Sequence, residues 1–184
     1  MKRACFLIFF IAAAFLSGCG GGSTASDPRS LDLGLAAPGA ALPAVRIASV
    51  RAVAPFESTD MQYRLAYRNA AEIAAFSNSR WAATPAELLR KQLLRAVGDG
   101  PARCVLEIEI QEFSQVFSAQ ETSDARIELR LALSSGNKSL AKQFSIIESN
   151  SGPDAVSGAA GVARAVNRVI GEIGGWIAAQ PDCR

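Results

Sequence analysis

Glu107 and Glu109 stand two residues apart in an alternating stretch, a spacing that puts both carboxylates on one face of a strand. Paired acids are what glycoside hydrolysis uses, one protonating the leaving oxygen and the other attacking or activating water. Arg126, Glu128 and Arg130 alternate in the same way further on, so a solvated face of ion pairs is the preferred reading of these charges. The chain has no histidine, which removes the commonest general base and the commonest zinc ligand. Neither a Ser-His-Asp nor a Cys-His arrangement can be assembled. Lys91, Lys138 and Lys142 lie in no recognisable serine-lysine motif. The glycine-rich "GCGGGS" at 18–23 follows no strand and opens no helix carrying a lysine, so it is not a phosphate cradle. The expectation is a protein with no catalytic residues, no metal and no cofactor.

The most specific chemistry belongs to Cys19. Lys2 and Arg3 precede an apolar run from Ala4 to Leu16, and small residues follow, the three parts of a secretory leader. As a helix that run would reach roughly 20 Å, against the roughly 30 Å of a bilayer core. Leu16-Ser17-Gly18-Cys19 resembles the bacterial lipobox, in preference to an ordinary leader followed by an unmodified thiol. The resemblance implies cleavage before Cys19, a diacylglyceryl group on its sulfur and an acyl group on its nitrogen. Three acyl chains hold a protein on a membrane without spanning it. Gly20, where aspartate marks inner-membrane retention in such lipoproteins, implies the periplasmic face of the outer membrane.

Loss of 1–18 removes two of the 19 basic residues and balances the charges at 17 of each sign. A neutral chain has no electrostatic grip on nucleic acid, and the remaining length suits one domain with a real core. Residues 19–44 are expected to be the lipidated N-terminus and a flexible tether rich in Gly, Ser, Ala and Pro, and residues 45–184 the folded domain. Cys104 and Cys183 are either a disulfide tying the C-terminus to the body, as an oxidising compartment favours, or two separate thiols.

The elements that must position these residues follow from periodicity. "AVRIASVRAV", 44–53, reads as a strand. In "MQYRLAYR" Met61, Tyr63, Leu65 and Tyr67 alternate with polar partners, a strand with one apolar and one basic face, and 71–77 is expected to add another short strand. "TPAELLRKQLLRAVGDG" is a helix capped by Thr84, with Pro85 first, Glu87 completing a capping box, and Leu89, Leu93 and Ala96 on one face. Leu106, Ile108 and Ile110 point inward, but Phe113 falls out of phase, so a bulge or bend is expected near Glu112. Ile127, Leu129, Leu131 and Leu133 repeat the alternation, and antiparallel pairing would bring Glu107 and Glu109 near Arg126 and Arg130. A third strand, about Ser139 to Ser149, follows the "SGNK" turn. A long helix over 154–180 carries Val156, Ala159, Ala163, Val166, Ile170, Ile173 and Ile177 as its stripe, and its glycines permit close packing against a sheet or another chain. The fold class is α/β, of the α+β kind: one domain, a mixed or antiparallel sheet of five to six strands, packed by two main helices.

Residues 54–89, "APFESTDMQYRLAYRNAAEIAAFSNSRWAATPAELL", resemble the ABC-type transport auxiliary lipoproteins, the PqiC-like family, through Met61, Tyr63, Arg64, Phe76, Trp81, Ala82 and Pro85. "EFSQVF" at 112–117 and the Gly-Val-Ala run at 161–163 leading to Trp176 also fit, while "LDLG" at 31–34 has Leu31 where the family has tyrosine. The resemblance implies a non-enzymatic lipoprotein of a transporter that moves lipids between the two membranes. Its partner would be a periplasmic mammalian-cell-entry (MCE) protein forming the conduit, met at the outer membrane. Met61, Tyr63, Arg64, Tyr67, Phe76 and Trp81 are the candidate partner-binding residues, weighed against a place for the apolar ones in the core. Two rival readings are a lipid-binding carrier and a structural envelope lipoprotein without a transporter. A homo-oligomer is left open by the glycine-rich helix.

Overall fold

The computed structural model describes residues 27–35 and 41–183. Cys19 and the first part of the expected tether lie outside the described residues.

Seven strands form one mixed sheet: β1 (Arg29–Leu31), β2 (Arg46–Ala52), β3 (Asp60–Leu65), β4 (Ala74–Trp81), β5 (Val105–Ala119), β6 (Thr122–Ser135) and β7 (Lys138–Ser149). Along the sheet the order is β1-β4-β3-β5-β6-β7. The spine is β5. On one edge β2 runs parallel to its first half, from Arg46 opposite Val105 to Ala52 opposite Ile110. On the same edge β3 runs parallel to its second half, from Gln62 opposite Ser114 to Leu65 opposite Phe117. The other edge carries β6 and then β7 as an antiparallel meander.

Alternation predicts these long strands because a sheet covered on one side needs apolar residues at every second position. The register of β5 on β6 slips between Ile110 and Glu112. That bulge moves Phe113 and Phe117 onto the face already used by Leu106, Ile108 and Ile110. Glu109 stands opposite Arg130 as expected, whereas Glu107 faces Ala132 and Arg126 faces Ser114. The short connection from Ala119 to Thr122 fixes that register, and Glu109 takes its ion pair from Arg51 of β2 at 3.8 Å.

Among the described residues three helices complete the fold: a four-residue turn α1 (Ala66–Asn69), α2 (Pro85–Ala96) and α3 (Ala155–Ala178). Thr84 caps α2 by the full reciprocal box: its hydroxyl accepts from the Glu87 amide, and Glu87 Oε2 accepts from the Thr84 amide at 3.0 Å. Asp154 caps α3, accepting from the Ser157 amide at 2.7 Å. Helix α3 packs chiefly over β6 and β7, and α2 over β2. The buried face of α3 is wider than the predicted stripe, taking in Val162, Ala165 and Val169, while Val156 is 43% exposed. Among its glycines, Gly158 and Gly161 seat against the side chains of Gln115 and Asn150, and Gly174 against the backbone carbonyl of Ala41. Gly171 and Gly175 face open space.

Part of the stretch expected as tether belongs to the fold. Leu33 and Leu42 are buried, β1 pairs in parallel with β4, and the Leu42 amide donates to the carbonyl of Ala96. A three-residue strand whose partner lies fifty positions away leaves no local period to read. At the other terminus Cys183, in a final 3-10 turn, is joined to Cys104 by a disulfide across a sequence separation of 79, with Cα atoms 5.3 Å apart. By the chain-entropy account a loop of that size contributes about 4 to 5 kcal/mol.

A candidate docking surface at the uncovered end of the sheet

The inner face of the sheet is not covered along its whole width. Met61, Tyr63 and Leu65 project from one side of β3, and they meet different neighbours. Strand β4 runs antiparallel beside β3, with Ala74 opposite Tyr63 and Arg80 opposite Asp60. The Met61 end therefore lies beside Trp81, after which the chain enters α2. Met61 and Trp81 are each 3% exposed, and the Trp81 indole meets Phe113 edge to face at 5.5 Å between centroids. Both were candidates for partner contact. They are core residues, packed with Phe113 in the buried cluster of the domain.

Tyr63 is at the other end. Its ring lies 4.8 Å from that of Phe76 and 6.0 Å from that of Phe117. Tyr63 and Phe76 are partly buried, and Phe117 is buried beside Tyr63. Beside Phe76 a cleft of about 480 Å³ opens between β4 and the first turn of α3. Ala155 and Val156 supply its apolar wall, and Arg29, Asn78 and Asp154 are among its polar rim. The Asp154 carboxyl is held below the usual aspartate range, first by the Ser157 amide it caps and further by the positive charge of Arg29.

The remaining two candidates point elsewhere. Tyr67 is not on the strand face: β3 ends at Leu65 and Tyr67 sits on α1, 41% exposed. Arg64 projects from the outer face of the sheet. Its guanidinium pairs with Glu112 at 3.0 Å, with side-chain exposures of 23% and 13%, so the expected wet arginine is a partly buried ion pair beside the bulge. Around that pair Glu112 Oε1, Ser114 Oγ and Arg126 Nε have no partner among the described residues.

One aromatic ring, an aliphatic wall and a charged rim can take an apolar side chain from another molecule and orient it by polar contacts. It holds no nucleophile paired with a base. Tyr63 and Phe76 were legible from their types. Arg29 and Val156 were missed, since the first lies in a strand without a period and the second reads as part of the buried stripe. Asp154 carried a signal, a capping residue directly before a helical run.

No family model matches the chain, and no curated protein matches it. Among solved structures the chain is similar to protein XCC0632 of Xanthomonas campestris, described as DUF330. The identity is 18%, the TM-score 0.65, and the match covers 82% of this chain and 91% of that one. An uncharacterized protein aligns with 13% identity and a TM-score of 0.64, covering 82% of this chain and 99% of that one. These likenesses establish a shared fold.

Proposed function

We propose that the protein is a non-catalytic envelope lipoprotein that docks an MCE-type lipid conduit at the periplasmic face of the outer membrane, anchored there through acylated Cys19. The observation that carries the reading is the partly buried aromatic pair of Tyr63 and Phe76 beside a cleft with a charged rim. It lies within the 54–89 stretch that resembles the transport auxiliary lipoproteins, in a chain sharing the fold of a DUF330 protein. A domain confined to a thin layer beside the membrane by its anchor meets a partner reaching that layer at raised effective concentration.

The test is site-specific photo-crosslinking in the native envelope, with the probe at Phe76 or Tyr67 and, as the buried control, at Met61. Capture of an MCE-domain protein from Phe76 and Tyr67 but not from Met61 is the expected result. Failure to capture an MCE-domain protein from both Phe76 and Tyr67 overturns the docking role. Stoichiometric lipid in the purified protein would replace it with the carrier reading.

A further inference from the structure

Helix α2 carries four leucines, and the core uses three of them. Leu88, Leu89 and Leu93 are buried, whereas Leu94, one residue on, is 52% exposed. At about 100° per residue Leu94 stands near the middle of the outward face, with Arg90 and Lys91 on either side of it and Arg95 beyond Lys91. All three cations are exposed. Glu87 shares that face, but its carboxylate is turned back to the Thr84 hydroxyl and amide at the start of the helix.

The segment that enters the domain runs along this helix. Lys91 Nζ lies 4.0 Å from the Asp32 carboxylate, and Gln92 Nε2 donates to the Gly34 carbonyl at 3.2 Å. Leu35, directly after Gly34, is 90% exposed. No carboxylate among the described residues pairs with Arg90 or Arg95, so two guanidinium groups stand without a counter-charge. Asp27 is eight positions past Cys19, a reach of at most about 28 Å, and Asp32 follows shortly after it. A chain anchored at Cys19 therefore enters the fold beside α2 and not at the β7 edge, the other end of the sheet.

We infer that the outward face of α2 rests on an anionic phospholipid surface, with Arg90, Lys91 and Arg95 at the lipid phosphates and Leu94 and Leu35 entering the headgroup layer. The inference rests on the anchored reading and adds which face the domain turns to the leaflet. Each cation beside an anionic leaflet is worth about fivefold in partitioning, and the leucines gain by leaving water. The make-up of the face favours a bilayer over a protein. Protein interfaces gather aromatic rings at their centre and shed lysine, whereas α2 has no aromatic residue and sets leucine among cations, the composition of a helix lying at a membrane surface. An acyl anchor alone leaves the domain free to turn. A second contact through α2 fixes its orientation.

The test places an environment-sensitive fluorescent residue at position 94, or as a control at the exposed Gln143 of β7, in the full chain on vesicles of phosphatidylcholine alone or mixed with phosphatidylglycerol. Emission from position 94 is expected to shift to the blue and to be quenched by brominated acyl chains on the mixed vesicles only, while position 143 changes on neither. Roughly 1 M salt, where the Debye length falls to about 3 Å, should reverse the shift. The combined Arg90→Glu, Lys91→Glu and Arg95→Glu variant should abolish it, with the melting temperature of the parent retained because all three side chains are exposed. No shift at 94, equal shifts at 94 and 143, the same shift on both vesicles, or a shift that survives charge reversal overturns the inference. Flotation of the vesicles reads the anchor separately. A chain that floats on both without a shift at 94 keeps the anchor and loses the face, and one that floats only on the mixed vesicles with the shift keeps the face and loses the anchor. Floating on neither overturns both, and none of these outcomes bears on capture of an MCE-domain protein at Phe76.

Discussion

Met61 and Tyr63 leave the same side of the same strand two residues apart, yet one is sealed in the core and the other only partly buried. Alternation alone makes them equivalent. What separates them is the path of the chain afterwards: β4 carries the backbone back to the Met61 end, where Trp81 packs on Phe113 within the buried core. At the Tyr63 end Gly158 of α3 seats against Gln115, the residue opposite Tyr63, and α3 begins at Ala155, at the edge of the cleft. Periodicity therefore reports which face a residue takes, and cover reports what that face is for. The residues that resemble a family motif divide into a scaffold half, Met61 and Trp81, and a presented half, Tyr63 and Phe76.

The division breaks first at Trp81. Replacing a fully packed aromatic by alanine costs about 3 to 5 kcal/mol, whereas Tyr63→Ala, at half burial, should cost roughly 1 kcal/mol. Urea melts of the full chain read both, and equal losses would mean that Tyr63 is as much core as Trp81. The next largest effect tests the cover itself. A methyl at Gly174 runs into the backbone carbonyl of Ala41, which cannot swing aside, so Gly174→Ala should lose about 1 to 3 kcal/mol. At Gly175 the same methyl meets nothing, and Gly175→Ala should gain about 0.5 to 1 kcal/mol from helix propensity. Two adjacent glycines with shifts of opposite sign in melting temperature would locate the packed side of α3.

Much of the scaffold was legible in the sequence. The box around Thr84 and Glu87 uses local chemistry, and the bulge at Glu112 shows as a slip in a strict alternation; both are present as read. The single domain, with a mixed sheet and two principal helices, follows from the same local signals. The losses are all non-local. Strand β1 is held by a strand far along the chain, Tyr67 continues the alternation of β3 although β3 has ended, and β4 begins at Ala74 and runs to Trp81 rather than spanning 71–77. The proposed docking patch shares that difficulty. Aromatic types singled out a stretch, but they did not say which of its rings would be buried in the core.

A smaller effect concerns where the cover starts. Asp154 fixes the first turn of α3, and Asp154→Ala should cost about 1 kcal/mol at neutral pH. Its folded pKa is lowered, so the carboxylate's contribution is complete above the unfolded value of 3.8 and is lost as pH falls through the folded one. The gap between the parent and Asp154→Ala should therefore shrink below about pH 4. Asp154→Asn, which still caps, should show a smaller cost and no such pH dependence. A gap that stays constant down to pH 2 would mean that charge plays no part in setting this end of the helix.

The smallest expected change in stability is the most informative about the presented half. Tyr67 sits on a four-residue helix with no buried residue, so Tyr67→Ala should shift stability by less than about 0.5 kcal/mol. If the partner meets this side of the molecule, the same substitution should weaken capture of an MCE-domain protein from Phe76 about tenfold, since exposed tyrosines anchor interfaces out of proportion to their number. Arg64→Ala is the matched contrast. It breaks a partly buried ion pair on the outer face and leaves Glu112 without its cation, so it should cost more stability than Tyr67→Ala while leaving that capture unchanged. Were the two to exchange behaviours, with Arg64 needed for capture and Tyr67 dispensable, the presented surface would be the charged outer face of the sheet, and the aromatic end would be a ragged margin of the core.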